Sequence, residues 1–266
     1  MEPFEPCEGG HFWKIPDRYI NGITDEDNKV VRRKTLNIIL REIRVCHEKW
    51  TADRKTSCLE TEVVRSEDDT VDVDVTNEKD VDKREQVLCL IRPLMKSICD
   101  PVETCRETAY EILSLIIQIL NGKEKEIYLP YIVPPLLERF GEPEILEPSE
   151  EIRLTAVKFL TTLMEAVEKK TLIPYVEDLI QMLSYLIADP FHLVKIAACK
   201  ATSYLAMKGK GAFHQTSDKL LSPLCVSITH QQFRVRCAVV ECLGKPDSGF
   251  FLIPSRQKLV LTISWI

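Results

Sequence analysis

The stretch CDPVETCR, residues 99–106, decides how this chain is read. Two cysteines flank an Asp-Pro, and an arginine closes it. Such a segment is either a redox or metal site or a corner between two helices. The corner reading gains weight because the pattern recurs. DPVETCR at 100–106 is matched by EPSEEIR at 147–153 and DPFHLVK at 189–195. HQQFRVR at 230–236 keeps the end of the pattern and loses the Asp-Pro, and EDNKVVR at 26–32 is a weaker first copy. The closing basic residue recurs at 106, 153, 195 and 236, at intervals of 47, 42 and 41 residues.

The residues after each corner agree as well. The apolar residue before the basic one is Cys105, Ile152, Val194 or Val235. Four positions on stands Ala109, Ala156, Ala198 or Val239, and seven on stands Ile112, Phe159, Ala201 or Cys242. Offsets of four and seven place them on one face of a helix. Upstream of each corner lies another apolar stretch, such as VLCLIRPLMKSI, YLPYIVPPLLERF, IPYVEDLIQMLSYLI and LLSPLCVSI. Prolines stand near their starts, where a missing backbone N–H costs little; Pro93 lies further in and is placed to kink its helix. Two helices per unit and a period of roughly 40–47 residues are the signature of HEAT and armadillo arrays. The fold expected is all-α, a HEAT-type α-solenoid of about five helix pairs with an acidic loop insertion and an irregular C-terminal tail.

Each corner then has a physical role. Proline biases the preceding residue away from helix, so Asp100-Pro101 ends one helix. The freed carboxylate can accept from backbone N–H groups at the start of the next. Asp100, Arg106, Glu147, Arg153, Asp189, Lys195, His230 and Arg236 are the expected members of a structural ladder between adjacent corners. Cys105 is a core position, since its equivalents are aliphatic.

The organisation expected is an irregular segment over 1–19, repeats over 20–244, and a non-repeat tail over 245–266. The basic residue jumps from Arg32 to Arg106, and the excess falls over 51–82, an acidic, aperiodic insertion read as a mobile loop. The fifth unit meets Gly244, Lys245 and Pro246, which leaves Leu220, Leu224, Val239 and Leu243 without a following repeat. The closing KLVLTISWI has the low charge and β-branched content of an aggregating segment.

Composition excludes several functions. A net charge of −6, with no basic arm or stripe of Lys and Arg standing out, argues against nucleic acid as the main partner. No run of eighteen uncharged apolar residues is present to span a membrane. The N-terminus lacks a secretory signal pattern, so a cytoplasmic location and free thiols are expected. The ten cysteines include no Cys-x-x-Cys pair, and most lie in apolar helical stretches, as at Cys89, Cys199 and Cys242. An EF-hand begun at Asp72 would need Gly at 77 and Glu at 83, where Asn77 and Lys83 stand. His47-Glu48 lacks a zincin's second histidine, and Gly209-Lys210-Gly211 lacks the P-loop frame; it is read as a helix-ending turn. No Gly-x-Ser-x-Gly elbow occurs. No catalytic, cofactor or metal residue is assigned, and the chain is read as a non-enzyme.

The corners CDPVETCR and DPFHLVK, with EEIRLTAVKFL and above all LLSPLCVSITHQQFRVRCAVVECLG at 220–244, resemble the HEAT-repeat dynein axonemal assembly factor 5 family. The resemblance covers about residues 85–244, with a looser fit over 20–50. It implies a cytoplasmic scaffold for preassembly of axonemal dynein arms, in support of ciliary motility. The partners it implies are axonemal dynein chains and other dynein assembly factors or chaperones. The family has no catalytic residues to carry over. The other reading is a generic HEAT-repeat adaptor serving transport, phosphatase assembly or microtubules.

Overall fold

Helices form wherever apolar residues recur with helical period between the corners. The computed structural model describes residues 5–6, 13–61, 89–120, 122–141 and 144–244. In chain order the helices are α1 (Asp17–Thr24), α2 (Lys29–Thr61), α3 (89–97), α4 (Glu103–Ile119), α5 (Gly122–Phe140) and α6 (Glu150–Ala166). They continue as α7 (Lys169–Leu172), a 3₁₀ turn at Ile173–Tyr175, α8 (Val176–Ala188), α9 (His192–Thr216), α10 (Asp218–Ser227) and α11 (Phe233–Gly244). A two-residue antiparallel pair, Glu5–Pro6 with Trp13–Lys14, precedes them.

The chain divides into two compact units, Met1–Glu124 and Lys125–Ile266. In the first, α2 packs on α1 and on α4. The close approach of α1 to α2 requires Gly22: a Cβ there would lie 2.5 Å from the Thr35 hydroxyl oxygen. In the second, α9 touches α6 and α11 as well as its own partner α8, and α8 touches α10. Within the second unit corner-following helices α6, α9 and α11 contact one another in turn, and the preceding helices α8 and α10 do likewise, as in a one-dimensional stack.

All twelve repeat-related positions behave as the period predicts. Cys105, Ile152, Val194 and Val235, with their equivalents at +4 and +7, are each at most 1% exposed. The first copy is offset. Val31 is half-buried, and the buried set on α2 is Thr35, Leu36, Ile39, Leu40 and Ile43.

Several expectations need correction. The insertion was expected to be a loop from residue 51, but α2 runs unbroken to Thr61. Residues 62–82 lie outside the described residues, as does the tail 245–266. The segment 1–19 was expected to be irregular, but α1 already begins at Asp17. Prolines 130, 134 and 135 lie inside α5 rather than at its start. Pro130 and Pro134 face solvent, where water can satisfy the carbonyls that lose a partner. Cys89 is exposed, whereas Cys199 and Cys242 are buried. Leu220, Leu224, Val239 and Leu243 are no more than 2% exposed. Within this unit α10 contacts α8, α9 and α11, so helices of the same and the preceding pair face it.

Gly209-Lys210-Gly211 does break α9. Lys210 has φ 36° and ψ −107°, and helix resumes beyond it to Thr216. Such a conformation suits glycine and strains a residue with a Cβ.

Candidate functional site

The corners are the most chemically ordered places in the molecule. The N-cap residues Val102, Ser149 and Phe191 make no side-chain capping bond of their own. The cap comes from two residues earlier. Asp100 Oδ1 accepts from the Val102 amide at 2.7 Å, Glu147 Oε1 from Ser149 at 3.1 Å, and Asp189 Oδ1 from Phe191 at 2.8 Å. In the fourth corner His230 Nδ1 accepts from the Gln232 amide at 3.1 Å. An imidazole therefore does the local work of the carboxylate, which fixes its tautomer with the proton on Nε2.

The basic residue then grips its own corner. Arg106 Nη1 donates to the Asp100 carbonyl at 2.9 Å. Arg153 Nη1 donates to the carbonyls of Glu147 and Pro148, at 3.1 and 2.9 Å. Arg236 Nη1 donates to those of His230 and Gln231, at 2.9 and 3.0 Å. Arg32 does the same with Asp25 and Glu26, at 2.8 and 3.0 Å. Each guanidinium satisfies carbonyls that the corner leaves outside any helix.

Arg32 and Arg153 also reach the following corner. Arg32 Nε donates to Asp100 Oδ2 at 2.6 Å, and Arg153 Nε to Asp189 Oδ2 at 2.6 Å, each with a second bond from Nη2. Both carboxylates are buried. A planar fork can bridge a neighbouring carboxylate and still hold its own corner, because it carries five N–H donors. The Asp100 carboxylate raises the Arg32 pKa further above its already high ordinary value.

Other corner residues also bond within their own helix pair. Glu147 accepts from Arg139 of α5 at 2.5 Å, within its own helix pair. Arg139 is a member that the corner pattern missed; its only signal was a cation at the end of the preceding helix. Lys195 has a single amine, and it donates to the Ile187 carbonyl at 3.0 Å. Ser227 Oγ shares that acceptor at 3.3 Å. Burial pushes the Lys195 pKa down, with Asp189 opposing. His230 offers no carboxylate to receive it. Arg236 instead lies with its guanidinium carbon 5.9 Å from the Phe233 ring centre, and Phe233 is exposed. A second structural device is Lys208, whose amine donates to the Met164 and Glu165 carbonyls and so caps the C-terminus of α6.

Among the described residues no group of three or more His, Cys, Asp or Glu is placed to hold a metal ion, and Cys89, Cys99, Cys105, Cys199, Cys225, Cys237 and Cys242 form no disulfide with one another. No described helix is long and apolar enough to cross a membrane.

Helix pairs stacked through buried arginine–carboxylate corners define the HEAT/armadillo class of α-solenoid. Solved structures agree in fold. Kap121p bound to Nup53p superposes with a TM-score of 0.62 at 15% identity, over 93% of this chain and 21% of that one. A designed armadillo repeat protein does so with 0.57 at 14% identity, over 92% of this chain and 87% of that one. A family model described as "Dynein axonemal assembly factor 5-like, TPR repeats" matches residues 53–246. The chain belongs to that family. Dynein axonemal assembly factor 5 of Xenopus laevis is 33% identical over 227 residues, which is 85% of this chain and 23% of that protein. The chain therefore spans about a quarter of that relative's length. Intervals of 41–47 residues and the corner chemistry are of HEAT type rather than the 34-residue TPR period that the family description names.

Proposed function

We propose that this chain serves as a non-catalytic HEAT-repeat scaffold in the cytoplasmic preassembly of axonemal dynein arms, and so supports ciliary motility. The observation that carries this reading is the family match over residues 53–246, with relatives that bear the name of a dynein assembly factor. The architecture suits the role. Stacked pairs bury one another's apolar faces and leave an extended surface for large protein clients. Axonemal dynein chains, with other assembly factors or chaperones, are the partners proposed. The ordered corner contacts involving Arg32, Asp100, Arg153 and Asp189 contribute by holding that surface rigid rather than by touching a client.

The test is depletion of the protein in multiciliated cells, with electron microscopy of axonemes and mass spectrometry of tagged-protein pull-downs. Cilia of normal number lacking dynein arms, and co-purified dynein heavy or intermediate chains, are the expected outcome. Intact arms after complete depletion would overturn it. Recovery of importin cargo, phosphatase subunits or tubulin instead would favour a general adaptor.

A further inference from the structure

Helix α2 carries an excess of positive charge, against the expectation that no basic stripe stands out, and the fold uses only part of it. Between residues 29 and 44 it holds Lys29, Arg32, Arg33, Lys34, Arg41 and Arg44 against one acid, Glu42, in a chain of net charge −6. Arg32 is committed to the first rung. Lys29, Arg33, Arg41 and Arg44 fall at offsets of 0, 4, 12 and 15, which keeps them within about a third of the helix circumference, and Asn37 stands at offset 8 in the same sector. Arg41 contacts Glu42 and Arg44 contacts Glu111, both at exposed positions. Lys29, Arg33 and Lys34 are exposed and make no side-chain hydrogen bond or ion pair among the described residues. Like charges at i and i+4, as at Lys29 and Arg33, destabilise a helix. At Lys29, Arg33 and Lys34 that cost returns no internal contact among the described residues, which marks this end of the stripe as made for something outside the fold.

The shape agrees. Lys29, Val30, Arg33, Lys34, Asn37 and, from the approach to α4, Val102 line a concavity of about 480 Å³. Val30 is 52% exposed, an apolar step among the cations.

We propose that this stripe is a docking site for an acidic peptide segment of a partner protein, one that alternates carboxylates with small apolar side chains. Charge complementarity selects the carboxylates, and Val30 with Val102 takes an apolar side chain between them. The stripe runs fifteen residues, about 22 Å at 1.5 Å per residue, so an extended peptide of roughly seven residues covers it. A polynucleotide fits less well. None of the six lining residues is aromatic to stack a base, and Val30 and Val102 offer apolar side chains instead.

The experiment is fluorescence anisotropy of the full chain with a fluorescein-labelled peptide of repeated Asp-Val-Glu triplets. The K29E/R33E/K34E variant is compared with K158E/K169E/K200E, which makes the same change in net charge at exposed lysines of the second unit. The stripe variant is expected to bind about tenfold or more weakly than wild type, with the control variant within about twofold and binding falling as salt rises. Equal weakening by both variants, or no binding by wild type, overturns the proposal. So does tighter binding of a labelled oligothymidylate than of the peptide. Circular dichroism checks folding; if the reversal unfolds the chain, K29Q/R33Q/K34Q is measured against the same thresholds.

Discussion

Arg153 bridges two corners at once: its Nε lies 2.6 Å from Asp189 Oδ2 in the following corner, while its Nη1 holds the carbonyls of Glu147 and Pro148 in its own. The Asp189 side chain is fully buried and the Arg153 side chain nearly so. A buried pair of this kind is revealed by breaking it, since removing one partner strands the other charge. Arg153→Met is therefore expected to cost about 3–5 kcal/mol, read as a fall in the urea midpoint. In a double-mutant cycle with Asp189→Asn, a coupling near zero would show that the two side chains act independently.

The rung between Lys195 and His230 is absent because both members changed. Restoring the pattern with Lys195→Arg and His230→Asp together is expected to stabilise the chain by about 1–3 kcal/mol over the sum of the single changes. His230→Asp alone keeps the local cap on Gln232, because an aspartate there accepts as Asp189 does from Phe191. The measurement is thermal unfolding of the four forms; additivity within about 0.5 kcal/mol would refute the design.

The buried Lys195 also sets a pH dependence. Its pKa is lowered by burial, so between that value and the ordinary lysine value of about 10.4 the unfolded chain binds more protons than the folded one. Stability from this group rises with pH through that window and is lowest where the folded amine is charged. The difference in unfolding free energy between wild type and Lys195→Met should shift in favour of wild type as pH rises towards 10. A flat difference across that range would contradict the sign.

Lys210 holds φ 36° where a side chain is strained. Lys210→Gly is expected to stabilise by about 1 kcal/mol, visible as a rise in Tm. Gly22→Ala should do the reverse, because its Cβ would meet Thr35 at 2.5 Å. A stabilised Gly22→Ala would mean that α1 can shift on α2 without loss.

The sequence by itself determined the helix–corner–helix unit, its period and its buried face. Those depend on interactions within a few residues: Asp100 to Val102, Arg106 to its own corner carbonyl, and apolar side chains at +4 and +7. Even the unusual corner at His230 was legible as a corner, because Val235 and Arg236 keep the end of the pattern; that its imidazole accepts from Gln232 came from the structure. Tertiary structure decided which corner each basic residue serves. Arg32 meets Asp100 across 68 positions, Glu147 takes Arg139 from its own pair, and Lys195 turns to the Ile187 carbonyl. It also decided that α2 continues to Thr61, that three prolines stand inside α5, and that Leu220, Leu224, Val239 and Leu243 are covered. The physical reason is the same throughout. Periodicity states which face of a helix is apolar and which side chains are charged. The distance between helices and the number of donors on each side chain select what that face and those charges meet.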